Sequence, residues 1–144
     1  MGLIESLNNN AARSICKRFV FRKGEEKIIL SYKKVDPGFI RKLCEDKITP
    51  PRVFNLLEPL SYEVILLLKA KFKNRNLKRH IEDFLKIYNA MRISISGDDL
   101  YRLGLAPGPV YQKVFTKVLH AKLQGKVTTK EEELALAKRT IRYR

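Results

Sequence analysis

The groups in this chain best suited to chemistry are backbone amides that follow a short segment rich in glycine and proline. Ser96 is a typical N-cap, Gly104 is placed to end a short helix, and Pro109 is typical of the first position of a second helix. This order predicts a helix-hairpin-helix. The amides from Val110 to Lys113 would then stand free at the start of the second helix, where they could hold a phosphate oxygen. The alternative is a tight helix–helix connection that binds nothing.

The candidate binding residues form a hairpin group and a separate basic cluster. Tyr111 could stack on an unpaired base, although a ring at helical spacing is also typical of a core. Lys113 and Lys117 lie four residues apart and therefore share one helix face, which could instead be an ordinary solvated surface. The hairpin group, with the helix that follows, consists of Gly108, Val110, Tyr111, Gln112, Lys113, Lys117, Lys122 and Lys126. The densest basic cluster consists of Lys71, Lys73, Arg75, Lys78 and Arg79.

The carboxylates and other metal-ligand types do not predict catalysis. Asp98 and Asp99 are adjacent, so on a helix their side chains would point about 100° apart and could not face one metal ion. Phosphoryl transfer needs metal ions that bridge phosphate oxygens. We therefore expect no enzymatic activity from this chain alone, and neither a cofactor nor a metal site. The other metal-ligand types are widely spaced: Cys16, Cys44, His80 and His120.

The composition indicates a folded protein that binds a polyanion. Among 144 residues, 30 Lys and Arg stand against 15 Asp and Glu, which gives a formal net charge of +15. Such an excess repels itself unless a polyanion binds it. The longest apolar run, Val64–Leu68, is far shorter than the about 20 residues of a membrane span. Two cysteines make no disulfide framework, and the N-terminus does not resemble a signal peptide, so we expect a cytoplasmic protein.

Capping residues and apolar spacing predict an all-α fold of about six to eight helices. The residues 19–30 leave two alternatives, a β-hairpin about Gly24 or two helices broken there, and we favour the helices. The run Val64–Leu68 is apolar nearly all round and predicts a central buried helix. Asp36-Pro37-Gly38 marks a turn or a helix start. Further starts are marked by Thr49-Pro50, by Ser61 and by Thr129 with Glu132 as a capping box, and a helix end is expected near Glu58 because of Pro59.

The C-terminal half also resembles a known family. Residues 95–109 read Ile-Ser-Gly-Asp-Asp-Leu, then Leu-Gly-Leu-Ala-Pro-Gly-Pro, and residues 121–133 read Ala-Lys-Leu-Gln-Gly-Lys-Val-Thr-Thr-Lys-Glu-Glu-Glu. This combination resembles the C-terminal region of class II tRNA nucleotidyltransferases and bacterial poly(A) polymerases. The resemblance covers residues 48–139, with a looser match over Pro51–Ser61. The family often has a second glycine where this chain has Gln112.

The resemblance implies an RNA-binding part of such an enzyme, without its catalytic head. The family's head carries a Gly-Ser phosphate loop, an Asp-x-Asp metal pair and a Glu-Asp-x-x-Arg base reader, and none of these is in this sequence. By this resemblance residues 1–95 are a body-like helical bundle, and residues 96–144 are a tail-like RNA-binding unit. The implied partners are tRNA, held by its acceptor and T-arm, and a separate or missing catalytic head. No membrane partner is expected.

Two other functional classes remain open on the residues alone. A helix-hairpin-helix module of a repair or replication protein would have the same hairpin and prefer duplex DNA. A structural or assembly domain would use its basic face to bind an acidic protein. Preference for RNA over DNA, and saturable binding at physiological salt, separate these possibilities.

Overall fold

The computed structural model describes residues 23–142 and, before them, residues 10, 11 and 14. All regular structure within residues 23–142 is helical, which confirms the all-α prediction. A π-helical turn, Phe84–Tyr88, continues the fifth helix. The eight α-helices of this part are α1 Lys23–Tyr32, α2 Pro37–Cys44, α3 Pro50–Leu57, α4 Tyr62–Lys71, α5 Arg75–Asp83, α6 Gly97–Arg102, α7 Pro109–Leu123 and α8 Lys130–Arg142.

The chain divides into two compact units, each with its own hydrophobic core. The first unit contains the chain up to Ile48 and Arg52–Asn89, and the second contains Thr49–Pro51 and Ala90–Arg144. The assignment of a body-like role to residues 1–95 and of a tail-like role to residues 96–144 stays a prediction, because it concerns what each part binds.

Helix α1 settles the ambiguity about Gly24 from Lys23 onward. Gly24 is the second residue of α1, so residues 23–30 are helical and a β-hairpin over this stretch is wrong. The helix buries Ile29 and Tyr32, and this packing outweighs the strand preference of the sequence. Residues 19–22, and with them the predicted first arm of the hairpin, lie outside the described residues.

Local signals place the starts and ends of α2, α3 and α4 where the sequence predicts them. The Asp36 side chain accepts a hydrogen bond from the Phe39 amide at 2.6 Å, so the helix-start alternative for this segment is confirmed. Ser61 caps α4 in the same way, through the amide of Val64. Helix α3 begins at Pro50 and ends at Leu57, two residues before Pro59. These starts and ends follow from side chains within a few residues of each terminus.

The core of the first unit forms around α4, although α4 is not buried all round. Val64, Ile65 and Leu68 are buried, whereas Leu66 is 40 % exposed. The run Val64–Leu68 thus contributes to the centre of this core, as predicted, but neighbouring helices cover only part of its circumference and leave Leu66 exposed. The other buried residues of this core include Leu43, Val53, Leu57, Leu77, Ile81 and Phe84.

Side chains of α5 complete the C-terminal end of α2. The Asn76 amide donates to the Cys44 carbonyl at 3.1 Å, and His80 Nδ1 lies 2.9 Å from the Leu43 carbonyl oxygen. Because a carbonyl only accepts, Nδ1 of His80 carries the proton. Arg79 donates to both the carbonyl and the carboxylate of Asp46. The Leu43 and Cys44 carbonyls at the end of α2 thus find donors more than thirty residues away.

The second unit is built from three helices joined by two glycine turns. Gly104 has φ of +85° and Gly125 has φ of +69°, which places both in the left-handed region that glycine adopts without strain. The amide of Gly104 donates to Tyr101 and that of Leu105 donates to Leu100, a Schellman ending for α6. The corresponding two bonds end α7 at Gly125 and Lys126. Gly104 thus has the role that the sequence predicts.

Capping boxes start α6 and α8. Ser96 accepts from the Asp99 amide at 3.4 Å, and the Asp99 carboxylate accepts from the Ser96 amide at 2.8 Å. Thr129 and Glu132 form the same reciprocal pair at the start of α8, as predicted. The core between the helices contains Ile95, Leu100, Leu105, Val114, Val118 and Ala137.

Candidate nucleic-acid interface

The connection between α6 and α7 (residues 103–108, the predicted hairpin) offers two backbone amides to a ligand, fewer than the sequence predicts. Helix α7 begins at Pro109, which has no amide hydrogen, and Gly108 is its N-cap. The amide of Tyr111 already donates to the Gly108 carbonyl at 3.0 Å. Beyond Tyr111 the amides belong to the ordinary i to i−4 pattern of the helix. The amides without an intrahelical acceptor are therefore those of Gly108 and Val110.

The backbone conformation at position 108 does not require a glycine. Its φ of 168° is an extended conformation that any residue adopts. A Cβ atom added there would meet nothing within 4 Å, so the position opens to solvent. The absence of a side chain at Gly108 leaves the backbone accessible, which suits the close approach of a phosphate.

The exposed face of α7 brings together several of the predicted residues. Gln112, Lys113, Lys117 and His120 line a shallow groove of about 370 Å³ together with Thr116. The opposite face of the helix is buried through Val114 and Val118. Two lysines and a glutamine amide thus stand on one side of the helix, one turn and two turns after the Gly108 amide.

Tyr111 is packed within the second unit. Its hydroxyl donates to the Leu105 carbonyl at 2.8 Å, and its ring meets Phe115 edge-on with 6.1 Å between the ring centroids. Loss of solvent around the phenol, with the nearby Asp98 carboxylate, raises the pKa of Tyr111. Among the described residues of this unit, Tyr101 is an exposed aromatic side chain, at 66 % exposed.

Lys122 is engaged with a buried carboxylate. Its ammonium donates to Glu133 Oε1 at 2.6 Å and approaches Ser94 Oγ at 3.4 Å. The Lys122 side chain is 17 % exposed, and the Glu133 side chain is 0 % exposed. The charge of Lys122 is therefore matched within the protein, whereas Lys126, just after the Gly125 turn, is exposed.

Glu133 holds three elements together. Besides Lys122 on α7, its carboxylate accepts from the amides of Ser94 and Ile95, at 2.7 Å and 3.1 Å, just before α6. Burial by itself raises the pKa of Glu133, but these hydrogen bonds and the Lys122 ammonium outweigh it and hold the pKa below its usual range. The sequence alone does not single out Glu133 as a functional residue. The feature that could identify it is its position four residues before Ala137, which places a carboxylate on the buried, apolar face of α8.

The basic cluster of the first unit is divided between two cavities. Lys73, Arg75, Lys78 and Arg79 line an open groove of about 790 Å³ with Asn76 and two carboxylates, Asp46 and Glu82. Arg79 pairs with Asp46 at 3.2 Å across the surface. Lys71 does not join this groove. It lines a second cavity with Tyr32 and Phe72.

One comparison with known proteins relates the chain to a family. The chain is 32 % identical over 87 residues to the A-adding tRNA nucleotidyltransferase of Geobacter sulfurreducens, and the match covers 60 % of this chain. This partial match supports a relationship between the chain and the tRNA nucleotidyltransferases over the matched residues. It spans about a tenth of the length of that relative. No protein-family model matches the chain, and no solved structure matches it.

The similarity to this enzyme limits the functions to be considered, but it identifies no catalytic centre in this chain. Within residues 23–142, no three His, Cys, Asp or Glu side chains converge on a point where they could hold a metal ion. None of the helices described for this chain is long and apolar enough to cross a membrane. The features that remain to be explained are the hairpin amides, the basic face of α7 and the basic groove of the first unit.

Proposed function

We propose that this chain binds tRNA as a non-catalytic, RNA-gripping part of a tRNA nucleotidyltransferase, and that it acts in the cytoplasm beside a catalytic head. The similarity to an A-adding tRNA nucleotidyltransferase is the observation that carries this proposal. The formal net charge of +15 supports a polyanionic partner. The absence of head motifs from the sequence supports a role in binding, with catalysis left to a head that this chain does not contain.

The geometry of α7 indicates which residues of the second unit would hold the RNA. The Gly108 and Val110 amides would bind one backbone phosphate, where the positive end of the helix dipole adds to the attraction. Lys113 and Lys117 would contact the phosphates that follow, with Gln112 as a hydrogen-bonding group on the same face. Lys122 is left out of this contact set because Glu133 already neutralises it, and Tyr111 is left out because its ring and hydroxyl are engaged within the unit.

Recognition would depend on the shape of the RNA. An A-form stem presents phosphates and 2′-hydroxyl groups along its shallow minor groove, and its narrow major groove does not admit side chains. Lysines and backbone amides suit that surface because they bind phosphate oxygens without reading bases. In the first unit, Lys73, Arg75 and Lys78 would add phosphate contacts of the same kind. Affinity should therefore vary strongly with salt and weakly with sequence.

The test is a titration of the chain into fluorescent tRNA that lacks its 3′ end, over a series of salt concentrations, with duplex DNA of equal length as competitor. We expect saturable binding that weakens steeply as salt rises and that duplex DNA displaces poorly. Stronger binding to the DNA would contradict the proposal and favour a repair-type module. No binding near physiological salt would also contradict it.

A charge reversal on α7 tests the contact residues. Lys113→Glu should weaken tRNA binding by tenfold or more, because it removes a phosphate contact and places a like charge beside the RNA. Lys138→Glu is the matched control, since Lys138 is an exposed lysine on α8 and the change in net charge is the same. Equal affinities for the two variants would remove the α7 face from the binding site.

A further inference from the structure

Helix α6 presents an exposed aromatic side chain that neither the core nor the proposed RNA contacts use. Tyr101 lies in the last turn of this helix and is 66 % exposed, whereas Leu100 beside it is fully buried. Both ends of the helix are fixed, by the Ser96 capping box and by the turn at Gly104. The ring of Tyr101 therefore stands on a well-anchored helix and is open to a flat ligand.

A carboxylate lies one turn earlier on the same helix. Asp98 precedes Tyr101 by three residues, so the two side chains are neighbours on the helix surface. Asp98 is exposed, and in the part of the chain that the structure describes its carboxylate has neither a hydrogen bond nor an ion pair. The adjacent Asp99 differs, because it caps the helix and pairs with Lys130 at 3.2 Å. Asp98 can therefore accept hydrogen bonds from a ligand.

Tyr111 connects this pair of side chains to the proposed phosphate contact. Its ring packs against Gly97, where an added Cβ would lie 3.4 Å from the ring carbon Cε2. Loss of solvent is the first cause that raises the pKa of Tyr111, and the electrostatic effects of Asp98 and Tyr101 come next, so both lie near its phenol. The amide of Tyr111 donates to the Gly108 carbonyl at 3.0 Å. The pair thus lies about one tyrosine side chain away from Gly108.

An aromatic ring beside a carboxylate favours guanine among the bases of RNA. A carboxylate only accepts hydrogen bonds, and guanine has two adjacent donors on its Watson–Crick edge, N1–H and the 2-amino group. Adenine and cytosine have a ring-nitrogen acceptor beside the amino donor, and in uracil two carbonyls flank the single donor. Each of these bases would therefore place an acceptor against the carboxylate. Unpaired bases of RNA are commonly stacked on aromatic rings and recognised on this edge.

An arginine of a protein partner is the alternative occupant. Its guanidinium group stacks on tyrosine and can donate two parallel hydrogen bonds to a carboxylate. The formal net charge of +15 on the chain repels a basic partner, however, and attracts a polyanion. The charge of the molecule therefore favours RNA as the source of the stacked group.

We propose that Tyr101 and Asp98 bind one unpaired guanine of the RNA, with the base stacked on the Tyr101 ring and its N1 and 2-amino hydrogens donated to the Asp98 carboxylate. This inference rests on the proposed function for the RNA that supplies the base. A phosphate of the same strand would lie at the Gly108 amide. The contact adds a preference for one base at one position to an affinity that otherwise depends on shape and salt.

Base replacement in a short RNA tests the contact. The full chain would be titrated into fluorescent RNAs of about five nucleotides, all uridine except for a central guanosine, inosine or adenosine, and the anisotropy would be recorded. We expect the guanosine strand to bind about fivefold to about a hundredfold more tightly than the adenosine strand, the range of a two-bond base contact. The inosine strand should lie between them, because hypoxanthine lacks the 2-amino group. Equal affinities of the three strands would overturn the proposal.

Two variants assign the preference to the two side chains. Asp98→Asn should abolish the preference for guanosine over adenosine, because the amide presents a donor as well as an acceptor. Its matched control is Glu131→Gln, since Glu131 is also an exposed acid at the second position of a helix. Tyr101→Leu should weaken binding of all three strands about fivefold or more through loss of stacking, and Tyr62→Leu, at a tyrosine that is 59 % exposed, is its control. Retained preference in Asp98→Asn, or losses as large in the controls, would overturn the proposal.

Failure of this inference and failure of the proposed function give different results. If the chain binds 3′-truncated tRNA but does not distinguish the three strands, the guanine contact is wrong and the proposed function stands. If it prefers guanosine but binds no tRNA, the proposed function is wrong and the guanine contact stands for another RNA. If a tripeptide with a central arginine shifts the amide NMR signals of Asp98 and Tyr101 and the guanosine strand does not, the pair is a site for a basic protein and this inference is wrong.

Discussion

At the residue scale, the second unit depends on one buried charge. Glu133 has no solvent contact, and Lys122, Ser94 and Ile95 donate to its carboxylate. The carboxylate links the segment just before α6 to both α7 and α8. A buried ion pair contributes little beyond an apolar pair of the same shape, but removal of one partner is costly because the other is left without a counter-charge.

Glu133→Gln should therefore destabilise the second unit. The amide replaces one accepting oxygen with a donor and leaves the Lys122 ammonium uncompensated, at a cost of roughly 3 to 5 kcal/mol in the free energy of unfolding. Denaturant unfolding followed by circular dichroism measures it. Glu131→Gln, two residues earlier and exposed, should stay within about 0.5 kcal/mol of wild type. Similar free energies of unfolding for the two variants would show that the Glu133–Lys122 pair does not stabilise the unit by this amount.

The same carboxylate predicts how stability responds to acid. Because the folded-state pKa of Glu133 is lower than its usual value near 4.5, its contribution is complete above that value and is lost as the pH falls through the folded-state pKa. Asp99, held by Ser96 and Lys130, acts in the same direction. The melting temperature should fall between about pH 5 and about pH 3, and less steeply in Glu133→Gln than in wild type. Parallel profiles of melting temperature against pH for Glu133→Gln and the wild type would contradict the assignment of this acid sensitivity to Glu133.

Two glycines of the hairpin should respond in opposite ways to alanine. Gly104→Ala forces a Cβ into the left-handed region and should cost about 1 kcal/mol of stability, with tRNA affinity unchanged once the chain is folded. Gly108→Ala has an ordinary φ and open space, so stability should stay within about 0.5 kcal/mol while tRNA binding weakens. Thermal unfolding and tRNA titration on both variants provide the comparison. Unchanged tRNA affinity in Gly108→Ala would exclude close approach of a phosphate there.

At the element scale, α5 has a buried structural face and an exposed basic face. Asn76→Ala should cost about 1 to 2 kcal/mol of stability, because the Cys44 carbonyl at the end of α2 loses its donor. Arg75→Ala, one residue earlier and exposed, should leave stability nearly unchanged and weaken tRNA binding. Unfolding curves and tRNA titrations should thus separate the neighbours. The opposite pattern would mean that the groove does not bind RNA.

The elements that the sequence predicts well are those fixed by neighbours in the chain. Ser96, Gly104, Pro109 and the Thr129–Glu132 pair act within three or four residues, so their spacing is visible in the sequence. The exposure of Leu66 could not be read in this way, since it depends on how far other helices surround α4. For residues 23–30 the sequence leaves two alternatives, and the favoured helical one is confirmed, with Ile29 buried on the helix.

The types of residue in the candidate site could be predicted from the sequence. Which individual residues belong to it could be predicted less well. The shared face of Lys113 and Lys117 follows from helical spacing, and the structure has both in one groove. Lys122 lies on the same helix, five residues after Lys117, but its partner Glu133 lies eleven residues further along the chain and on another helix. Lys71 adjoins the basic cluster in sequence, yet its contact with Tyr32 turns it toward a different cavity. For both Lys122 and Lys71, a partner that is distant in the sequence determines where the side chain lies.

At the scale of the whole molecule, the net charge of +15 makes salt dependence the most direct measure of the interface. Each lost phosphate contact should lower the slope of log affinity against log salt by about 1. A double variant, Lys113→Met with Lys117→Met, should lower the slope by about 2, and Lys73→Met with Lys78→Met should do the same in the first unit. The two effects should add if both units contact one RNA. An unchanged slope in the combined variant would contradict the proposed contact set.

The capping of α2 by α5 has a consequence for the order in which the chain acquires structure during synthesis. Helix α2 has eight residues, fewer than an isolated helix needs to persist in water. The donors that complete its C-terminal end, Asn76 and His80, follow the residues they bond to by 32 and 37 positions. Because α2 precedes α5 in the chain, it leaves the ribosomal exit tunnel before those donors do. The nascent chain must therefore carry an unfinished α2 until α5 emerges and docks.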